Sequence, residues 1–143
     1  MTELDPDIGS RVSGHADRRF GRVVLSARQN HFVSDGRVSH GGAGEAIFAG
    51  ELLLASLVAC GLGIVHETAH DRQEPKPDVE LTAQFLRDPQ DGTRFAALTL
   101  IFDFAETKRP LAELYVAAFT SRCPIYNTLA RGGPIDVEIR APG

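Results

Sequence analysis

The longest apolar stretch of the chain runs from Gly50 to Asp71 and predicts a single long helix. Apolar residues occupy nearly every side of this helix between Leu52 and Val65, and a helix that is hydrophobic all round is a buried one. Glu51 and the polar residues after position 65 leave an uncharged run of about 14 residues, whereas a membrane span needs roughly 20. The pattern therefore predicts the central core helix of a soluble domain.

Shorter periodic segments lie on both sides of this helix. Residues 79–85 and 94–104 alternate apolar and polar side chains, which is typical of half-buried strands. Pro110 and Pro124 each follow a break in the pattern and suit the first turn of a helix. The predicted strands are 12–15, 21–27, 29–33, 79–85, 94–104 and 135–139, and the predicted helices are 50–71, one from 110, and 123–130. This order predicts an α+β domain, with residues 1–8 as a disordered lead.

Composition narrows the functional class. The chain has 143 residues, which predicts one domain spanning 1–143. Its net charge is −4 and it has no Lys/Arg-rich block, so nucleic acid and membrane are poor partner predictions. The acidic N-terminus has no apolar core of a secretory signal. We therefore expect a cytoplasmic protein.

The two cysteines of the chain, Cys60 and Cys123, are its candidate reactive residues. Cys60 lies in the middle of the apolar helix, where a thiol is inert, so on its own it is best interpreted as a small core residue. Cys123 precedes Pro124 and is expected at a helix N-cap, where free N–H groups and the helix dipole stabilise a thiolate. Its plain alternative is a chance surface cysteine. In the cytosol, two lone cysteines are more often free, catalytic or redox-sensing than part of a structural disulfide.

Both cysteines lie in segments that match a known family. The segment HGGAGEAIFAGELLLASLVAC, which ends at Cys60, resembles the glycine loop and central helix of the OsmC/Ohr superfamily. The segment RCPIYNTL resembles that family's second cysteine motif, and the resemblance extends from about Val12 to Ile139. It implies an OsmC-like fold, with an antiparallel sheet packed on a long buried central helix. It also implies an intertwined homodimer with active sites near the dimer interface.

The resemblance implies a thiol-dependent peroxidase that reduces organic hydroperoxides, without a bound cofactor or metal ion. By this analogy Cys60 is the peroxidatic residue, and its thiolate becomes a sulfenic acid. Cys123 then condenses with it to a disulfide, which an external dithiol reduces. In the best-known branch that dithiol is a protein-bound lipoyl group. The alternative is a family member that keeps the fold and thiols but binds a small ligand or senses redox state.

A buried thiolate needs a cation beside it. The resemblance implies an arginine from the first hairpin, and Arg18 and Arg19 occupy the matching turn. Their plain alternative is a solvated turn. Arg28 and Arg37 are weaker candidates for the same role.

The glutamate that should orient this arginine is displaced in the sequence. The family pattern has an acid ten residues before the first cysteine, and that position is Gly50 here. Glu51 is the nearest acid, and nine residues at 100° each place it about 180° from Cys60 around the helix. Glu51 is therefore expected either to act from the first turn or to complement the helix dipole.

A competing motif, His66-Glu67-Thr68-Ala69-His70, ends the central helix. This spacing places two imidazoles and a glutamate as in zinc hydrolases. Such a site needs a third ligand, but the extended pattern would require a glycine and a histidine where Gln73 and Lys76 stand. Zinc hydrolysis is thus the remote alternative, and a polar last helical turn is the plainer interpretation.

Overall fold

The computed structural model describes residues 9–140 and 142, and it confirms the mixed α+β architecture. The disordered lead predicted at 1–8 lies outside the described residues. Contacts divide the chain into two compact units, the first ending at Leu53 and the second beginning at Leu54. The prediction of one domain across 1–143 remains a prediction.

The first unit contains a three-stranded antiparallel meander. Its strands are Ser13–Ala16 (β1), Val23–Ala27 (β2) and Asn30–Ser34 (β3), in the order β1-β2-β3. The meander predicted from the sequence is therefore confirmed, with bounds shifted by one or two residues.

The glycine loop after β3 is shaped by close backbone packing. Gly41 has φ 87°, a left-handed conformation that favours glycine. A Cβ on Gly42 would lie 2.2 Å from the carbonyl oxygen of Gly36. These two glycines are therefore needed because the backbone conformation and the close backbone contact leave no room for a side chain.

A buried carboxylate, Asp35, holds this loop to the sheet. It forms a two-pronged ion pair with Arg22, at 2.7 Å to Nε and 3.0 Å to Nη2. Its Oδ2 also accepts hydrogen bonds from the backbone N–H groups of Glu45 and Ala46, at 2.9 and 2.8 Å. The guanidinium and these N–H groups hold the pKa of the Asp35 carboxyl well below its usual range.

The long helix, α1, spans Ala49–Asp71. Its start is capped by Glu51, whose Oε1 accepts a hydrogen bond from the backbone N–H of Phe48 at 2.8 Å. The helix buries one face rather than all sides. The buried residues of this face are Leu57, Gly61, Ile64, Val65, Thr68 and Ala69. The long helix predicted from the apolar pattern is confirmed, whereas its burial on all sides is not found in the described chain.

By length and composition alone, α1 could cross a membrane. Its buried face, however, packs as a core helix does. Val65 and Ala69 form one buried cluster with Tyr115, and Leu57 and Ile64 belong to another.

The second unit pairs α1 with a long hairpin. Strands Val79–Arg87 (β4) and Phe95–Phe104 (β5) are antiparallel, with Leu81 opposite Phe102 and an irregularity at Leu86/Arg87. α1 approaches the hairpin closely at Gly61, because a Cβ there would lie 2.4 Å from Cδ2 of Leu81. Hairpin and helix are thus packed without room for a further methyl group at this point.

Two more helices complete this unit, Arg109–Arg122 (α2) and Pro124–Arg131 (α3). Tyr115 and Phe119 of α2 are fully buried. The Tyr115 hydroxyl donates a hydrogen bond to the carboxylate of Glu74, just beyond α1. Burial and this carboxylate raise the pKa of Tyr115 to about 12.

The strand predicted at 135–139 is not found: the described chain is irregular from 133 to 140 and belongs to neither described sheet. Ile135, Val137 and Ile139, the apolar residues of this segment, are 86–89% exposed. A strand needs a neighbouring strand for its backbone hydrogen bonds. The prediction of a last strand at 135–139 is therefore wrong for this structure, because the segment has no neighbouring strand to pair with.

Candidate active site

The structure brings Cys60 and Cys123 into direct contact. Their Sγ atoms lie 2.7 Å apart although the residues are 63 positions apart in sequence. Both cysteines are free, and a disulfide bond would be shorter, about 2.05 Å. The contact joins the middle of α1 to the junction of α2 and α3, so the two sulfurs can form and break a bond with little movement of the chain.

Cys123 connects two helices at once. Its backbone N–H donates to the carbonyl of Phe119 at 2.9 Å and ends α2, while its Sγ accepts from the N–H of Tyr126 at 3.3 Å and begins α3. Its predicted N-cap position is therefore confirmed. Its exposed fraction is 0%, so the alternative of a surface cysteine is wrong.

Cys60 is the more accessible sulfur of the two. It is partly exposed and packs against the buried cluster of Leu57, Ile64, Phe119 and Cys123. Burial, and then the hydrogen bond with Cys123, raise the pKa of the Cys60 thiol to about 11. A thiol with that pKa is protonated at neutral pH, so nucleophilic chemistry at Cys60 requires a cation beyond the groups that contact it here.

An ion pair missed in the sequence reinforces the helix junction. Arg122 donates from Nη2 to Glu67 at 3.0 Å, and its Nη1 lies 3.4 Å from Oγ1 of Thr68. It thereby ties the last residue of α2, next to Cys123, to the end of α1. The only sequence signal was an arginine beside a cysteine, which does not name its partner.

The glutamate of the His66–His70 motif, Glu67, is the residue that forms this ion pair with Arg122. Glu67 faces Arg122, and His70 is exposed. Within residues 9–140, no group of three His, Cys, Asp or Glu side chains is placed to hold a metal ion. The third ligand that a zinc site needs is therefore not found among these residues.

The predicted activating residues all belong to the first unit. Arg18 and Arg19 are exposed in the connection between β1 and β2, where Arg22 N–H donates to the carbonyl of Arg19 at 3.0 Å. Glu51 caps α1. The guanidinium of Arg37 lies 4.6 Å from the ring centre of Phe48. The roles of Arg18, Arg19 and Glu51 toward the cysteines remain predictions.

An apolar cavity of about 430 Å³ adjoins the cysteine cluster in the second unit. Leu57 and Phe119 line it and also belong to the cluster that contains Cys123. Tyr126, whose N–H contacts Cys123, lines it as well. The cavity next to the cysteine cluster is thus suited to an apolar molecule rather than to a charged one.

Solved structures resemble this fold over most of the chain. An OsmC-like protein from Mycoplasma pneumoniae has a TM-score of 0.69 at 19% identity, covering 87% of this chain and 89% of its own. The organic hydroperoxide resistance protein OsmC from Legionella pneumophila has a TM-score of 0.66 at 20% identity, covering 85% of this chain and 89% of its own. The organic hydroperoxide resistance protein OhrB of Bacillus subtilis has a TM-score of 0.61 at 20% identity, covering 87% and 92%.

No curated protein sequence matches the chain. The family model described as OsmC-like protein, in contrast, matches residues 42–138. This segment includes the second half of the glycine loop, α1, both cysteines and every element of the second unit. The match confirms the resemblance seen in the two cysteine motifs, and the chain belongs to the OsmC-like family.

Proposed function

We propose that this protein is a thiol-dependent peroxidase that reduces organic hydroperoxides through Cys60 and Cys123. The observation that carries the proposal is the 2.7 Å contact between a partly exposed sulfur and a buried one. The Cys60 thiolate attacks the distal peroxide oxygen, the O–O bond breaks, and the alcohol leaves after protonation by solvent. Cys60 becomes a sulfenic acid.

The second half of the cycle closes and reopens a disulfide. The Cys123 thiolate attacks the sulfenic sulfur of Cys60, and hydroxide leaves and is protonated to water. An external dithiol then returns both thiols and is itself oxidised to a disulfide. A lipoyl protein is one reductant of this class.

The apolar surroundings support an organic peroxide as substrate. Leu57 and Ile64 pack in the cluster with Cys60, and the adjoining cavity of about 430 Å³ is lined largely by leucine and phenylalanine. An apolar substituent gains from burial there, whereas hydrogen peroxide has none to bury. The names of the Legionella and Bacillus structures refer to organic hydroperoxide resistance.

The proposal includes a cation that activates Cys60. Because burial raises the pKa of this thiol to about 11, a guanidinium close to the sulfur is needed to favour the thiolate at neutral pH. We assign this role to Arg18 or Arg19. Glu51, which already caps α1, is the acid available to orient it.

We further propose that the protein works as a homodimer in the cytoplasm. The single chain leaves much of the apolar α1 uncovered, and it leaves Ile135, Val137 and Ile139 exposed on alternate positions. A second copy offers both a cover for the helix and a strand edge for this segment.

The direct test is reduction of cumene hydroperoxide with excess dithiol by the wild type, Cys60→Ser and Cys123→Ser. We expect rapid turnover by the wild type and none by Cys60→Ser. In a separate reaction without dithiol, Cys123→Ser should consume one equivalent of peroxide and give a sulfenic acid that a dimedone probe labels. A dimeric wild type whose thiols stay reduced under peroxide would refute the peroxidase.

One observation favours a second candidate, a small-ligand-binding protein of the same fold, over a redox sensor. The Cys60 thiol has a raised pKa, and burial and Cys123 are what raise it. A thiol of this kind reacts slowly with peroxide, as expected of a protein that keeps the fold and both thiols but binds a small ligand. Peroxide consumption separates the two candidates: a folded protein whose thiols stay reduced under peroxide would favour ligand binding.

A further inference from the structure

We propose that the reductant opens the oxidised site at the sulfur of Cys60, with Cys123 as the leaving thiolate. This inference rests on the proposed function, since it concerns the disulfide formed in that cycle. Both atoms of the disulfide are sulfur, so composition alone does not determine which of them the reductant attacks. The two sulfurs differ in both properties that decide thiol–disulfide exchange, namely access and leaving-group stability.

Access favours attack on Cys60. Cys123 has an exposed fraction of 0% and lies in a cluster with Leu57, Ile64 and Phe119, whereas Cys60 is partly exposed. A thiolate that attacked Cys123 would have to enter this packed cluster. A thiolate that attacks Cys60 reaches a residue that the chain itself leaves partly exposed.

Leaving-group stability favours the same direction. When the bond breaks, the electron pair remains on the sulfur that was not attacked. At Cys123 that sulfur is the N-cap of α3, where the N–H of Tyr126 donates to it at 3.3 Å. The free N–H groups of the first turn stabilise negative charge there. Cys60, in the middle of α1, has no free backbone N–H of this kind.

The geometry then determines which reductants complete the reaction. Attack forms a bond between the reductant sulfur and Cys60, breaks the Cys60–Cys123 bond, and leaves Cys123 as a thiolate. The two cysteine sulfurs lie 2.7 Å apart when both are free, so Cys123 can attack Cys60 again and expel a monothiol. A dithiol escapes this reversal, because its second sulfur attacks the first and releases Cys60 as a thiol.

The test maps where a monothiol binds. The full-length protein is oxidised with diamide, which accepts two electrons and two protons from the thiol pair and requires no peroxide. It is then mixed briefly with 2-mercaptoethanol, quenched in acid, unfolded, and labelled with N-ethylmaleimide. Trypsin separates the two cysteines, since Arg72 and Arg122 lie between them. We expect mercaptoethanol on Cys60 and maleimide on Cys123 in at least tenfold excess over the reverse pattern.

Two variants test whether burial sets this direction. Phe119→Leu opens the cluster around Cys123 and should raise the fraction of adduct on Cys123 severalfold. Phe95→Leu is the matched control, since Phe95 stacks on Phe85 in the hairpin, with ring centres 3.9 Å apart, and it should leave the adduct on Cys60.

Equal or reversed labelling in the wild type would overturn the inference, as would failure of diamide to close the disulfide. The proposed function fails separately: absence of peroxide turnover alongside adduct on Cys60 would refute the peroxidase alone.

Discussion

Two glycines in α1, Gly61 and Gly63, look equivalent in sequence but have opposite surroundings. A Cβ on Gly61 would lie 2.4 Å from Cδ2 of Leu81, whereas a Cβ on Gly63 would meet nothing within 4 Å in the chain. Alanine at either position gains about 1 kcal/mol of helix propensity over glycine. Only Gly61→Ala adds overpacking, which costs about 1–3 kcal/mol, and Leu81 is itself buried and has little room to shift.

We therefore expect Gly63→Ala to raise the free energy of unfolding by about 1 kcal/mol and Gly61→Ala to lower it by up to about 2 kcal/mol. The difference between the two variants, about 1–3 kcal/mol, isolates the steric contact, because both share the propensity gain. Urea denaturation at one fixed protein concentration measures it, which keeps any dimer equilibrium constant. A difference of this size shifts the midpoint by about 1 M.

A double-mutant cycle identifies the contact. In a Leu81→Ala background the clash is removed, so Gly61→Ala should become as stabilising as Gly63→Ala. Equal effects of the two alanines in the wild-type background would refute the close approach of α1 and β4.

Three further predictions concern the first unit and the activation of Cys60. Gly42→Ala should disrupt the glycine loop, since its Cβ would overlap a backbone carbonyl, and amide hydrogen exchange should show lost protection there. Asp35, whose pKa is depressed when folded, adds stability above its ordinary pKa of about 4, and that stability is lost as the pH falls below this value. Thermal midpoints between pH 2 and 7 should show this loss for the wild type and not for Asp35→Asn. Replacing Arg18 and Arg19 together by alanine should slow alkylation of Cys60 at pH 7 at least tenfold, because the thiol keeps its raised pKa of about 11.

Each of these has a matched comparison. Gly92→Ala should leave exchange unchanged, since a Cβ there meets nothing within 4 Å. An Asp35→Asn variant with the same acid sensitivity as the wild type would contradict the role of the ion pair. Arginine variants that alkylate at the wild-type rate would remove Arg18 and Arg19 from the proposed mechanism.

Local patterns predicted most of the elements. The bounds of α1 and of the β4–β5 hairpin follow from periodicity and from the prolines at 75 and 77, which cannot continue a helix. The N-cap position of Cys123 follows from Pro124 alone. These features are determined by residues that are close together in the sequence, so they can be predicted from one sequence.

Features that join distant residues were not predictable in the same way. Arg22 with Asp35 and Tyr115 with Glu74 are ordinary surface residue types until the fold places them together. The contact between Cys60 and Cys123 was expected only through the family resemblance, because spacing alone does not bring residues 63 apart into contact.

The exposed segment 134–140 is at risk of aggregation, and its own charged residues reduce that risk. Ile135, Val137 and Ile139 form a β-prone row in water, and such a row can add to the edge of any sheet it encounters, including one in an unrelated chain. Charged residues occupy the intervening positions, and Pro134 precedes the row, so a fibril would have to stack like charges on one another. The charges and Pro134 thereby discourage self-stacking although three apolar side chains of the segment remain exposed.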